Sequence, residues 1–121
     1  LRVCGFALGA ADKGASLLYE RVLREVAFPL WVDRCRAQIG ETLALLESTR
    51  ATSSTFFLFD DCLSHADVIL ATMFRFLREA LPHEFDFTSW PTLNLHSEQC
   101  ESLPAFAAVY QPYRLVLPDA A

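Results

Sequence analysis

Glycine, methionine and basic residues are scarce in this 121-residue chain, which holds 4 Gly, 1 Met, and 10 Lys and Arg against 15 Asp and Glu. With so few glycines, and with β-branched residues that never form alternating runs, a sandwich or barrel is excluded and an all-α class remains. A formal net charge of −5 leaves no basic stripe for phosphates, which excludes nucleic acid as a partner. Long apolar runs are missing too. Asp67, Arg75 and Arg78 interrupt the longest one, short of the roughly 20 residues a membrane-crossing helix needs, so no membrane contact is expected. No nucleophile elbow, phosphate loop, zinc-protease helix or calcium loop occurs, and no residue here is expected to be catalytic. An opening Met and a signal-peptide layout are both absent, and Leu1 is read as a fragment boundary.

Cys4, Cys35, Cys62 and Cys100 lack the spacing of a disulfide framework, so reduced thiols and a cytoplasmic setting are expected. Cys62 and His65 form a C-x-x-H pair, and His96 and Cys100 share a helical face, four groups that in principle suit a metal. Without a C-x-x-C, burial of the cysteines is the simpler expectation, and no metal site is assigned.

What is present is apolar. Hydrophobic residues make up 53% of the chain, with 10 Phe and 2 Trp, ample for one domain over residues 1–121 with its core at about 8–110. That content is high for a lone domain and suggests a face covered by a further domain or subunit. The strongest local signal is Leu63-Ser64-His65-Ala66-Asp67-Val68. Ser64 can cap the Asp67 N–H and Asp67 can reach back to the Ser64 N–H. Leu63 and Val68 occupy the positions of a hydrophobic staple. From Val68 to Leu77 only Thr72 and Arg75 are polar, so this helix must run through the middle of the domain.

Periodicity and proline positions give the other elements. A first helix is expected over about 8–26, with Ala11, Ala15, Leu18, Val22 and Val26 inside and with Glu20–Arg24 and Arg21–Glu25 pairs outside. Its small residues Gly9, Ala10, Ala11, Gly14, Ala15 and Ser16 suit either a close helix packing or the wall of a ligand site. A second helix is expected over 29–48 with Trp31, Cys35, Ile39, Leu43 and Leu46 inside, and a close crossing at Gly40. Residues 49–55 read as a polar surface linker and Asp60-Asp61 as a turn. The capped helix spans 64–80, residues 82–90 form a loop, further helices cover about 91–102 and 104–110, and Pro112 and Pro118 mark an extended tail. The result is a five-helix bundle with the helix from Ser64 at its centre.

Ser64-His65-Ala66-Asp67-Val68, preceded by Phe56-Phe57-Leu58-Phe59, resembles the capped core helix in the C-terminal domain of glutathione S-transferases. Gly9-Ala10-Ala11-Asp12-Lys13, Tyr19-Glu20-Arg21, Trp31, Leu43 to Glu47, His96 and Cys100 to Phe106 follow in that family's order. The resemblance spans residues 8–106. Asp60-Asp61-Cys62, where members often carry Gly, and Phe59 depart from the pattern.

The resemblance implies an absent thioredoxin-like N-terminal domain, which holds the glutathione site and the catalytic Ser, Tyr or Cys. The parent would join glutathione, as cosubstrate, to a small electrophile, and would be a homodimer; this chain alone would be inactive. The electrophile-side wall comes, by resemblance, from the first helix and the tail, which implies Ala11, Ala15, Tyr19, Leu23 and Tyr113. An ordinary interface aromatic is the alternative for Tyr19. The other functional readings are a non-catalytic protein-interaction module, for which the same domain is reused, and a binder of apolar ligands.

Overall fold

The computed structural model describes residues 1–116; Pro118 lies outside them. Among the described residues the chain forms five α-helices and no strand. These are α1 (Arg2–Val22), α2 (Pro29–Ala51), α3 (His65–Ala80), α4 (Pro91–Glu101) and α5 (Pro104–Val109), with a 3-10 turn at Phe87–Ser89 in the α3–α4 loop. Helix α1 packs on α2 and α3, α4 bridges α3 and α2, and α5 rests on α4. Only His65 and Thr72 of α3 are exposed, which makes it the most enclosed helix and the centre of the bundle. No described helix is long and apolar enough to cross a membrane.

Helix α1 begins at Arg2, six residues before the expected start, because its first turns lack a side-chain cap that a sequence could announce. Its buried stripe is Val3, Ala7, Ala10, Gly14, Leu17 and Leu18. The expected stripe was rotated by about one residue, so Ala11, Ala15 and Val22 are only partly buried. Val26 is 84% exposed, since the helix ends at Val22. The reason lies in Glu20, whose carboxylate accepts the Phe28 N–H at 3.1 Å and pairs with Arg24 at 2.6 Å, drawing the chain into a turn. Arg21 pairs with Glu84 at 2.6 Å rather than with Glu25, and so ties α1 to the loop after α3.

The close crossing expected at Gly40 occurs at Gly14. A Cβ on Gly40 would meet nothing within 4 Å, whereas one on Gly14 would stand 2.5 Å from Leu77 Cδ2 and 3.2 Å from Phe76 Cε1. Glycine is therefore what lets α3 approach α1. Helices α1 and α2 run antiparallel: Glu20 meets Phe28 and Lys13 lies over Trp31, while Gly9 and Ala10 share a groove with Glu41 and Thr42.

Phe28 is extended and Pro29 opens α2 without needing an N–H. Val32, Cys35, Ile39, Leu43 and Leu46 are buried, while Trp31 is half-buried. Helix α2 continues to Ala51, three residues beyond its expected end. Arg50, expected in a surface linker, is instead buried and donates to the Phe56 carbonyl at 2.7 Å, holding the last turn in helical form. The Asp60-Asp61 turn forms, with Phe57 N–H on the Asp60 carbonyl and Phe56 N–H on Asp61 Oδ1, both at 3.0 Å.

Candidate functional site

Asp67 organises the start of α3. Ser64 is extended and lies outside the helix; its N–H donates to Asp67 Oδ2 at 2.9 Å and its hydroxyl to the same oxygen at 2.8 Å, while the Asp67 N–H points to Ser64 Oγ at 3.4 Å. The other carboxylate oxygen accepts the Leu58 N–H at 2.9 Å and His96 Nε2 at 2.9 Å. A carboxylate with 0% exposure thus has every lone-pair direction answered, by the preceding loop, the cap and α4. Burial by itself would raise the Asp67 carboxyl; the hydrogen bonds from His96, Leu58 and Ser64 outweigh it and hold the group below the usual carboxylate range.

His96 is 1% exposed. Burial pushes its imidazole below the ordinary histidine value, Asp67 opposes that, and Arg50 adds to the fall. The ring is neutral at pH 7 and donates from Nε2 to the ionised Asp67, which leaves Nδ1 as an acceptor. That nitrogen is buried without a partner. Cys100 Sγ lies 3.8 Å from His96 Nε2, yet burial, Asp67 and Glu101 push its thiol up to about 11. Cys100 is therefore a protonated core residue rather than a nucleophile. Cys62 and His65 are exposed while His96 and Cys100 are buried, and no group of three or more candidate metal ligands gathers among the described residues. Val68 packs beside Phe57, Ala71, Cys100 and Phe106, and Leu63 stays 39% exposed.

The residues assigned to the electrophile wall fall in two places. Ala11, Ala15 and Tyr19 follow one another at four-residue spacing on α1, with Leu23 as its C-cap. Ala11 packs partly against the core, whereas Tyr19 is 56% exposed and Leu23 60%. Tyr113 lies on the far side of Phe76. The two rings meet edge to face with centroids 6.3 Å apart, and the Tyr113 hydroxyl is buried without a partner. Phe76, which touches the Gly14 position on one side and Tyr113 on the other, is the link between α1 and the tail. Sequence reasoning assigned it no role; its only signal was an aromatic on the most enclosed helix.

Tyr113 lines an open cleft of about 300 Å³ with Thr72, Phe76, Phe106 and Tyr110. Arg75 forms its charged edge, pairing with Glu101 at 2.7 Å and Glu79 at 3.3 Å while stacking 3.1 Å over the Tyr110 ring. Glu79 clasps the tail twice, accepting Tyr110 Oη at 2.9 Å and the Tyr113 N–H at 3.4 Å. The cleft offers apolar rings and a compensated charge network, a surface for packing a flat apolar molecule rather than for transferring protons.

A family model for the glutathione S-transferase C-terminal domain matches residues 29–111, from the start of α2 to just beyond α5. No curated protein matches the sequence significantly. Among solved structures, the chain is similar to a glutathione S-transferase of Methylobacterium radiotolerans in complex with glutathione sulfonate. That likeness has a TM-score of 0.85 and 24% identity and covers 99% of this chain and 56% of that one. It is also similar to a glutathione S-transferase of Methylobacillus flagellatus with glutathione bound, with a TM-score of 0.78 and 16% identity, covering 88% of this chain and 52% of that one. The chain thus spans about half the length of the solved proteins it matches, and at these identities the likeness concerns the fold.

Proposed function

Because the chain belongs to the glutathione S-transferase C-terminal domain family, we propose that it is the electrophile-side half of an enzyme that conjugates glutathione to small electrophiles. The glutathione thiolate attacks an electrophilic carbon, a carbon–sulfur bond forms, and the leaving group departs with its electron pair. The thiol proton has already been given up. Thiol activation belongs to a thioredoxin-like half of the kind the family carries. This chain's part is to hold the electrophile against that thiolate, and holding the two reactants in line is a large share of the acceleration.

The observation that supports this reading best is the α1 stripe, on which Tyr19 and Leu23 stand in solvent beyond the low-profile Ala11 and Ala15. A small-residue floor with an exposed phenol at its end suits a flat electrophile, whose polar substituent the Tyr19 hydroxyl can bond. Tyr113 would bound the site from the tail through Phe76. The apolar side chains Phe6, Leu8, Val26 and Leu30, exposed in the chain, are consistent with contact to a thioredoxin-like half and to a second copy in a homodimer.

The test uses the protein that carries both halves, with thioether formation from 1-chloro-2,4-dinitrobenzene followed by absorbance. Tyr19→Phe is expected to raise the KM for the electrophile about threefold to tenfold, the worth of one hydrogen bond, with the KM for glutathione unchanged. A gene whose coding sequence upstream of Leu1 lacks a thioredoxin-like half with its glutathione-binding loop, or an intact protein that forms no thioether, overturns the catalytic reading in favour of a protein-interaction module.

A further inference from the structure

A second groove is lined by His96 but not by the cap residues Ser64 and Asp67. Arg50, Thr92, His96 and Gln99 line it together with Ser53 and Phe56, around a volume of about 280 Å³. Arg50 is 8% exposed, and its guanidinium has no carboxylate within ion-pair distance among the described residues. Its Nη2 reaches the Phe56 carbonyl, but its Nε is buried without a partner. The same is true of His96 Nδ1 and Gln99 Oε1. Three unanswered polar atoms on residues of one groove, one of them on a guanidinium cation, are unusual in a folded interior.

The surrounding acids do not satisfy that cation. Asp67 is occupied on the other nitrogen of His96 by four donors. Glu47 accepts the Thr92 and Leu93 N–H groups at 2.7 and 2.8 Å, so its charge offsets the start of α4 instead. The Ser53 and Thr55 hydroxyls are spent on the Phe57 and Leu58 carbonyls. What remains for a ligand is the part of the Arg50 guanidinium not given to the Phe56 carbonyl, an acceptor at His96 Nδ1, and a Gln99 amide able to turn either end inward.

We propose that this groove binds a small oxyanion that also carries a hydroxyl, with the anionic oxygens on Arg50 and the O–H donated to His96 Nδ1. A guanidinium prefers carboxylate or phosphate oxygens, and an acceptor nitrogen beside it requires that the same ligand also donate. Monohydrogen and dihydrogen phosphate meet both demands in one group; a 2-hydroxy carboxylate meets them with two. Acetate meets only the first. The site lies on α2 and α4, apart from the α1 stripe and the tail cleft, and is independent of the conjugating role.

The test is a titration of the full chain with inorganic phosphate, glycolate and acetate at constant ionic strength, following the Arg50 Nε–H and Gln99 side-chain amide signals by NMR. Saturable shifts with phosphate or glycolate, at least fivefold tighter than with acetate, are expected; whichever of the two binds more tightly identifies the source of the oxyanion. Arg50→Met should weaken binding at least tenfold, and Gln99→Met about threefold while leaving the Arg50 signal responsive. No saturation by any probe, equal binding of acetate, or unchanged binding in both variants overturns the proposal. If Arg50→Met does not fold, Gln99→Met decides alone.

Discussion

Replacing Asp67 by Asn changes one oxygen for an NH₂ and nothing in shape, so its effect isolates the acceptor role of the carboxylate. Each oxygen faces one backbone N–H that cannot move and one partner that can adapt. With the NH₂ on the Oδ2 side, the Ser64 hydroxyl can rotate to accept, but the Ser64 N–H is stranded. With it on the Oδ1 side, His96 can change tautomer, but the Leu58 N–H is stranded. Either orientation leaves one enclosed backbone donor unpaired, at about 1–3 kcal/mol, and removes the charge that strengthens the bonds that survive, roughly 1 kcal/mol more. The expected loss is therefore about 3 kcal/mol out of the roughly 5–15 kcal/mol of a domain this size, or about 12 °C in Tm. Urea unfolding followed by far-ultraviolet circular dichroism measures it. A change within about 0.5 kcal/mol of zero, with the slope against denaturant preserved, would refute the view that Asp67 is a fully subscribed acceptor.

The His96–Asp67 pair also sets an acid limit. Both groups bind protons less readily when folded, so stability is fully present above the unfolded histidine value of 6.5 and falls as the pH drops below it. Asp67 adds to the loss below its ordinary 3.8. Between pH 7 and 5 the unfolding free energy should decline by at most about 1.4 kcal/mol per pH unit from this histidine. His96→Gln should flatten that slope in denaturant titrations at each pH, and an unchanged slope would assign the dependence to other groups. The two helical glycines should respond with opposite signs. Gly40→Ala is expected to stabilise by about 0.5–1 kcal/mol through helix propensity, whereas Gly14→Ala should cost about 1–2 kcal/mol because Leu77 is enclosed and cannot retreat. Paired thermal melts check this, and stabilisation by Gly14→Ala would show that the α1–α3 crossing has slack.

The start of α3 was legible because its signal is contiguous: a cap residue, an acid three positions on, and an apolar run without a gap. Proline marked the starts of α2, α4 and α5 for the same reason, acting on its immediate neighbours. Where partners are distant in sequence, local patterns were silent. Arg50 looks like a linker residue until the Phe56 carbonyl comes round to meet it, and Asp67 is a sufficient cap without His96, 29 positions away. The face of α1 was misjudged by one position because alanine and glycine give little hydrophobic contrast, and only the approach of Leu77 selects Gly14 as the inner residue. Of the residues that the resemblance assigns to an electrophile wall, helical spacing alone aligns Ala11, Ala15 and Tyr19, but the course of the tail past Phe76 is a tertiary fact.

The segment between α2 and α3 has the look of a protease target: irregular, with Phe56 and Phe59 in solvent and no regular ladder of its own. Yet the Leu58 N–H ends on the same oxygen that holds α4 through His96. To enter a protease cleft, the backbone at Leu58 must first let go of Asp67, and that release leaves the buried carboxylate that caps the central helix and holds His96 one donor short. The backbone at Leu58 is thereby tied to the cap at the centre of the bundle, and its amide is expected to exchange with solvent more slowly than those of the exposed residues 59–63 that follow it.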